Sequence, residues 1–303
     1  MRLLCSRILI WIGIFLMGIL IYKFVNKDIL MQVIYQSLPG KEAGLLGGML
    51  LGEKTGFSKD FWNQLKNSGL VHLVVVSGTN MVLVFSGVIE NLAKILGRKR
   101  AIGIGFVIGL VYVGMVGWQI PVVRALILVS VMYWAQILGR KYDVIRGLIV
   151  SVLIIILAWP TSLVEVSFWL SFTAFIGVIS SPWRGNLGTT FWVSLWVSPI
   201  LAISFGKINL IGPVSNVLVL LIVELITVVG FLGAIIGVFI PILGKITLWL
   251  IWPLLKYFGI VAELAGNLKW ANIGINFNYL ILLGWYLILI WILLKIKKSK
   301  FSL

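Results

Sequence analysis

The sequence predicts an all-α, polytopic integral membrane protein of about ten transmembrane or re-entrant helices, with an external amphipathic helix. Three observations carry that prediction. First, 61% of the 303 residues are hydrophobic and only 11% are charged, and the mean hydropathy is +1.12. A water-soluble domain with that balance would expose large apolar patches. Second, long apolar stretches recur from end to end, without the ten-residue alternating segments of a closed barrel. Helices are then the way to pair the backbone inside lipid. Third, lysine and arginine cluster between alternate stretches.

The ten spans are expected at 8–25, 70–95, 101–118, 120–138, 147–159, 164–181, 189–206, 212–240, 246–260 and 279–295. The first, "ILIWIGIFLMGILIY", follows Arg2 and Arg7 and has no small-residue cleavage site after it, so it reads as a retained span. With the N-terminus inside, the cytoplasmic ends are "KILGRKR", "GRKYDVIR", "PWRG", Lys245 and the tail "KIKKSK". Fifteen of the 25 lysines and arginines then fall inside, nine outside, and Arg124 within a span; none of the outside set is arginine. This is the positive-inside pattern, and it puts both termini in the cytoplasm. It also accounts for most of the +16 net charge, so that charge alone is no nucleic-acid footprint.

Between the first two spans lies an external segment, 26–69. In "FSKDFWNQLKNSG", Ser58 is positioned to cap a helix, Phe57, Phe61 and Leu65 repeat at i, i+4, and Gly69 is positioned to end it. Such a helix is expected to lie along the membrane surface. Before it, "AGLLGGMLLGEKTG" is apolar and glycine-rich; Gly44, Gly47, Gly48 and Gly52 suit close helix approach or a dip into the membrane. The domain reading is 1–25 N-terminal helix, 26–69 external segment, 70–260 core, and 261–303 external loop, last helix and basic tail.

Several spans hold features that cost energy in lipid. In "GLVHLVVVSGTNMVL", His72 is followed by Ser77, Gly78, Thr79 and Asn80. Gly78 weakens the helix, and Asn80 needs a partner in lipid. In "GWQIPVVRAL", Pro121 opens or kinks a helix and Arg124 is an intramembrane cation. "EVSFWLSFTAF" places Glu165 at an edge and Ser167, Ser171 and Thr173 along the helix. In "LIGPVSNVL", Gly212 and Pro213 interrupt the chain ahead of Ser215 and Asn216, and Pro199 interrupts the span before it. Each has a structural alternative. Serine and threonine commonly bond their own helix carbonyls, asparagines can join helices, Arg124 can bridge to Glu224 or Glu165, and His72 can anchor at the interface. Together the features suggest a water-lined conduit.

Cys5 and His72 are the single cysteine and histidine, so an intrachain disulfide and a Cys/His zinc site are excluded. No G-x-x-x-x-G-K-[ST] stretch occurs, so no P-loop ATPase is carried. No catalytic residue, metal or cofactor is expected. Ser77 lies five residues from His72, and five residues in a helix turn a side chain by roughly 140°.

These residues resemble the ComEC competence-protein family. "GLLGGMLLGEKTGFSKDFWNQLKNSGLVHLVVVSGTNMVLV" is similar to the family's apolar stretch, amphipathic helix and "G-x-x-H-L-L-A-I-S-G-L-H" segment. "GWQIPVVRALIL", "VSFWLSFTAFIGV" and "INLIGPVSNVLVL" resemble its proline–arginine, "Phe-Gln-Leu-Ser-Phe" and "Gly-Pro-x-x-Asn" segments, in the same order, over about residues 40–260. The resemblance implies an inner-membrane channel that conducts single-stranded DNA into the cytoplasm during natural transformation. It carries over His72, Ser77, Gly78, Pro121, Arg124, Ser171, Gly212, Pro213 and Asn216. Asn80 stands where the family has histidine, and Trp169 where it has glutamine. Nothing here corresponds to the oligonucleotide-binding-fold or metallo-β-lactamase-like domains of larger members, so a minimal channel core is expected. Its partners would be single-stranded DNA, membrane lipid and a separate DNA receptor, nuclease and helicase-like motor; a homo-oligomer is allowed. The alternative is a transporter of a small anionic solute, with Arg124 at its anion site.

Overall fold

The computed structural model describes residues 26–75, 78–139, 143–183, 185–268, 270–274 and 279–300. The expected span at 8–25, Cys5 and Ser77 lie outside them. The α-helices are α1 Lys27–Ser37, α2 Gly40–Leu51, α3 Lys59–Asn67, α4 Val71–Val74, α5 Gly78–Leu96, α6 Arg98–Val116, α7 Ile120–Ile137, α8 Val144–Ala158, α9 Val166–Ser180, α10 Asn186–Phe205, α11 Gly212–Phe239, α12 Pro241–Gly266 and α13 Tyr279–Lys300. By length and composition α6, α7, α11 and α12 are able to cross a membrane, and shorter apolar helices occupy Ile145–Ala158, Val166–Ser180, Gly188–Ser204 and Leu280–Lys295. The chain is an all-α membrane protein.

One expected span is divided, one is met by a single helix, and a short strand pair is added. The stretch expected as one span at 70–95 holds two described helices, α4 Val71–Val74 and α5 Gly78–Leu96, with a bend at Val75. The stretch 212–240 is one continuous helix. Gly212 and Pro213 are its first two residues, where the missing proline N–H has no helical acceptor to lose. Lys207–Asn209 pairs antiparallel with Asn272–Gly274 as strands β1 and β2; three residues are too few to show a period in sequence.

The described residues form two compact units. The first takes in 26–57, 72–160 and 222–256. Its core is a three-helix seam. Met81, Phe85 and Ile89 of α5 repeat at i, i+4, i+8 and pack with Ile102, Val113 and Val116 of α6 and Val122, Leu126, Val129 and Tyr133 of α7. Gly105 and Gly109 let α6 approach closely: a Cβ on Gly109 would press on Leu126, Met81 and Phe85. Every residue of α2 from Ala43 to Leu51 is buried. The glycine-rich stretch is thus a central helix, in close contact at Gly48 with the Val74 carbonyl. The Tyr112 hydroxyl donates to the Leu50 carbonyl at 2.7 Å, and the Trp249 indole to the Ser37 carbonyl at 2.8 Å. Both serve helix-end acceptors that lack an intrahelical donor.

The second unit takes in 58–71, 161–221 and, among described residues, 257–268, 270–274 and 279–300. In α3, Ser58 Oγ accepts from the Phe61 N–H at 3.2 Å, as its capping position requires. Phe61 and Leu65 are buried. The apolar side of α3 is therefore covered by protein, where the sequence suggested lipid. The docking is polar as well: Gln64 Nε2 donates to Asn267 Oδ1 at 3.2 Å, and Asn67 Nδ2 to the Gly266 carbonyl at 3.4 Å. In α10, Pro199 cannot donate to the Leu195 carbonyl. The Trp285 indole of α13 bonds that carbonyl at 3.0 Å, joined by Ser198 Oγ at 3.2 Å. Around them Trp192, Trp196 and Leu289 form the buried cluster.

Two predictions follow from these contacts. Trp285→Phe keeps the ring and removes the donor to Leu195; it is expected to cost about 1–2 kcal/mol, read as a lower melting temperature in detergent, and more when combined with Ser198→Ala. Glu53 lies 2.8 Å from Lys27 Nζ and accepts from Thr55 Oγ1 at 2.8 Å. Lys27 first and Thr55 second lower its carboxyl from 4.5 to about 2. A lowered carboxylate stabilises the fold above the unfolded value and loses that contribution as pH falls from 4.5 towards 2. Glu53→Gln should flatten the melting profile over that window, by no more than about 1 kcal/mol for so exposed a pair.

Candidate functional site

The first unit brings two of the sequence segments together. Helix α7 starts after Gln119, whose carbonyl accepts from Val122 at 2.9 Å and Val123 at 3.1 Å. Pro121 sits in its first turn. Gly78, the first residue of α5, lies against that turn. A Cβ at Gly78 would stand 3.0 Å from the Ala125 Cβ and 3.5 Å from the Pro121 carbonyl. The start of α5 at Gly78 is thus seated on the first turns of α7, at Pro121 and Ala125, although more than forty residues separate the segments in sequence.

Arg124 is 2% exposed. Its neighbours in sequence, Val122, Val123, Ala125 and Leu126, are buried too. Of the carboxylates named as its alternative partners, Glu224 is exposed, and Glu165, which belongs to the second unit, accepts from Ser167 Oγ at 3.1 Å. Arg124 lines a small cleft with Trp118, Ile120, Val123, Ile155 and Trp159. The two tryptophans come from the ends of different helices: Trp118 follows α6, and Trp159 is the residue after α8.

His72 is exposed on the short helix α4. Thr79 and Asn80 fall in the first turn of α5, and their side chains lie outside the description. The remaining predicted residues belong to the second unit. Ser171 is exposed, and its Oγ donates to the Ser167 carbonyl at 3.0 Å. Ser151, Ser194, Ser215, Thr227 and Thr247 make the same i−4 bond, the structural role these residues often take in helices.

Gly212 is buried beneath two neighbours. A Cβ there would meet Asn209 Oδ1 at 2.9 Å, and the position of a Cβ on Gly69, whose φ is +75°, lies 2.9 Å from the Gly212 Cα. Asn209 Oδ1 accepts from the Gly212 N–H, and Asn209 Nδ2 donates to the Asn67 carbonyl at 2.6 Å. Asn272 Nδ2 reaches the same carbonyl at 3.3 Å. Asn209 therefore ties the start of α11 to the end of α3, a role the sequence reading missed. Its signal was present: an asparagine three residues before a Gly-Pro helix start. Asn216, one turn on, has its Oδ1 buried without a hydrogen-bond partner among the described residues. Among the described residues no three His, Cys, Asp or Glu side chains gather.

The family model described as Competence protein matches residues 49–299. The chain belongs to the competence protein family. The match spans the candidate path residues from His72 to Asn216. Uncharacterized protein YcaI of Escherichia coli strain K12 is 23% identical over 272 residues, which are 80% of this chain and 36% of that protein. Recombination protein 2 of Haemophilus influenzae is 25% identical over 156 residues, 48% of this chain and 20% of that protein. The chain thus matches about a third and a fifth of the lengths of these two relatives. No solved structure matches.

Within this competence protein, the fit of Gly78 on α7 is testable by size. Gly78→Val is expected to destabilise by about 1–3 kcal/mol through overpacking against Ala125. Ala125→Gly in the same chain should recover part of that loss, and thermal melts of the two single variants and the double variant measure the coupling.

Proposed function

We infer that this chain conducts single-stranded DNA across the bacterial inner membrane during natural transformation. The observation that carries the reading is the family match over 49–299, which covers a buried cation placed on an interrupted-helix turn. Phosphates do not cross hydrocarbon, so their path needs water together with donors or cations. Arg124 supplies the cation, with His72, Ser77, Gly78, Thr79, Asn80 and Pro121 around the first interruption. Ser171, Gly212, Pro213 and Asn216 contribute along the second unit. The chain acts as a passive conduit without chemistry of its own. A separate receptor and nuclease deliver the strand, and a cytoplasmic helicase-like motor pulls it. The lysine and arginine distribution supports a cytoplasmic position for both termini.

The reading is tested by transformation. Deletion of the gene should abolish uptake, and Arg124→Ala, at normal membrane levels on an immunoblot, should lower transformation at least about tenfold, as loss of a buried charged contact of about 1.5–3 kcal/mol would. Normal transformation in the deletion strain would sink it. The second reading, transport of a small anionic solute, draws on the same buried Arg124; it requires anion flux into proteoliposomes without DNA.

A further inference from the structure

Helix α6 ends in an unusual way. Gly117 has φ +83°, and the next residue, Trp118, has φ +56°. Among the described residues Trp118 is the one non-glycine residue with positive φ. The turn is fixed by two bonds, from the Gly117 N–H to the Gly114 carbonyl at 3.2 Å and from the Trp118 N–H to the Val113 carbonyl at 3.0 Å. Glycine or asparagine adopts that conformation at far lower steric cost than a bulky ring. The indole is 59% exposed, so burial within the chain does little to offset the strain. A costly conformation that presents an aromatic face outward points to a use for that face.

That face lines the cleft described above. Trp118 and Trp159 are both partly exposed, at 59% and 39%, and Arg124 lines the same cleft with Ile120 and Val123 of α7. Aromatic faces with an adjacent guanidinium suit a ligand that carries a flat π-surface beside a negative charge. We propose that the Trp118–Trp159–Arg124 cleft is a nucleotide-holding station, at which one base of single-stranded DNA stacks on the tryptophans while its phosphate faces the arginine. This rests on the conduction reading and adds to it a place of contact. Stacking of this kind tolerates any base, as a conduit for unselected sequence requires.

The test uses the full chain in lipid nanodiscs and a fluorescently labelled oligothymidylate. Trp118→Leu and Trp159→Leu should each weaken binding roughly tenfold, within the range known for loss of one base–aromatic stack. Trp118→Phe should stay within about threefold of the parent. Trp183→Leu, which changes an exposed tryptophan outside this cleft, should leave binding unchanged. A second measurement needs no variant: an oligonucleotide carrying 5-iododeoxyuridine, photocrosslinked to the unaltered protein, should attach at Trp118 or Trp159 when peptides are mapped. Binding that is unaffected by both leucine variants, as for tryptophans that only anchor at the membrane boundary, overturns the station, as do crosslinks confined to other residues. If the unaltered protein binds no oligonucleotide, the conduction reading falls with it.

Discussion

Backbone groups that lose their helical partner must find another within the protein, because hydrocarbon offers none. Much of this structure follows from that requirement. The proline of α10 leaves the Leu195 carbonyl without its usual donor, and an indole from α13 fills it. The end of α2 is met by the Tyr112 hydroxyl, the end of α1 by the Trp249 indole, and the end of α3 by two asparagine amides. Each bond ties a helix end or interruption to an element distant in sequence. The side chains that give polarity to an otherwise apolar chain thereby also fix which helices meet.

The same requirement explains why interruptions can be used for function. A break in a membrane helix is tolerated where protein or water satisfies it. Here the start of α5 is seated on the first turn of α7, and the buried guanidinium of Arg124 lies in the next turn. Glycine suits the contact because a Cβ there would stand 3.0 Å from the Ala125 Cβ. Pro121 begins the helix without removing one of its hydrogen bonds. One local arrangement thus combines a helix start, a close helix approach and a cation, and the competence family match runs through all three.

In the second unit the comparable arrangement is held by amides. Asn67, Asn209 and Asn272 converge where α3, the β1–β2 pair and the start of α11 meet. Gly69 and Gly212 lie in close contact there, which brings together two short glycine-containing segments far apart in sequence. The exposed serine at 171 bonds its own helix, so its place in the motif does not by itself make it a contact for cargo.

Hydropathy and charge determined the class of this protein, because the bilayer imposes length and composition on any chain that crosses it. The helix of 59–67, its Ser58 cap and the start of α7 at the proline were legible for the same reason: they depend on residues within one or two turns of each other. Resemblance of four ordered segments made the family legible as well. Other features depended on partners far away. Only tertiary structure decided that α2 is buried from Ala43 to Leu51, that the apolar side of α3 faces protein, that Asn209 rather than Asn216 ties α11 to α3, and that Trp118 and Trp159 flank the cleft with Arg124. An apolar helix face is equally satisfied by lipid and by protein, and no local pattern distinguishes the two. What covers each face, and which polar group meets which orphaned carbonyl, is set by packing between segments that the sequence leaves far apart.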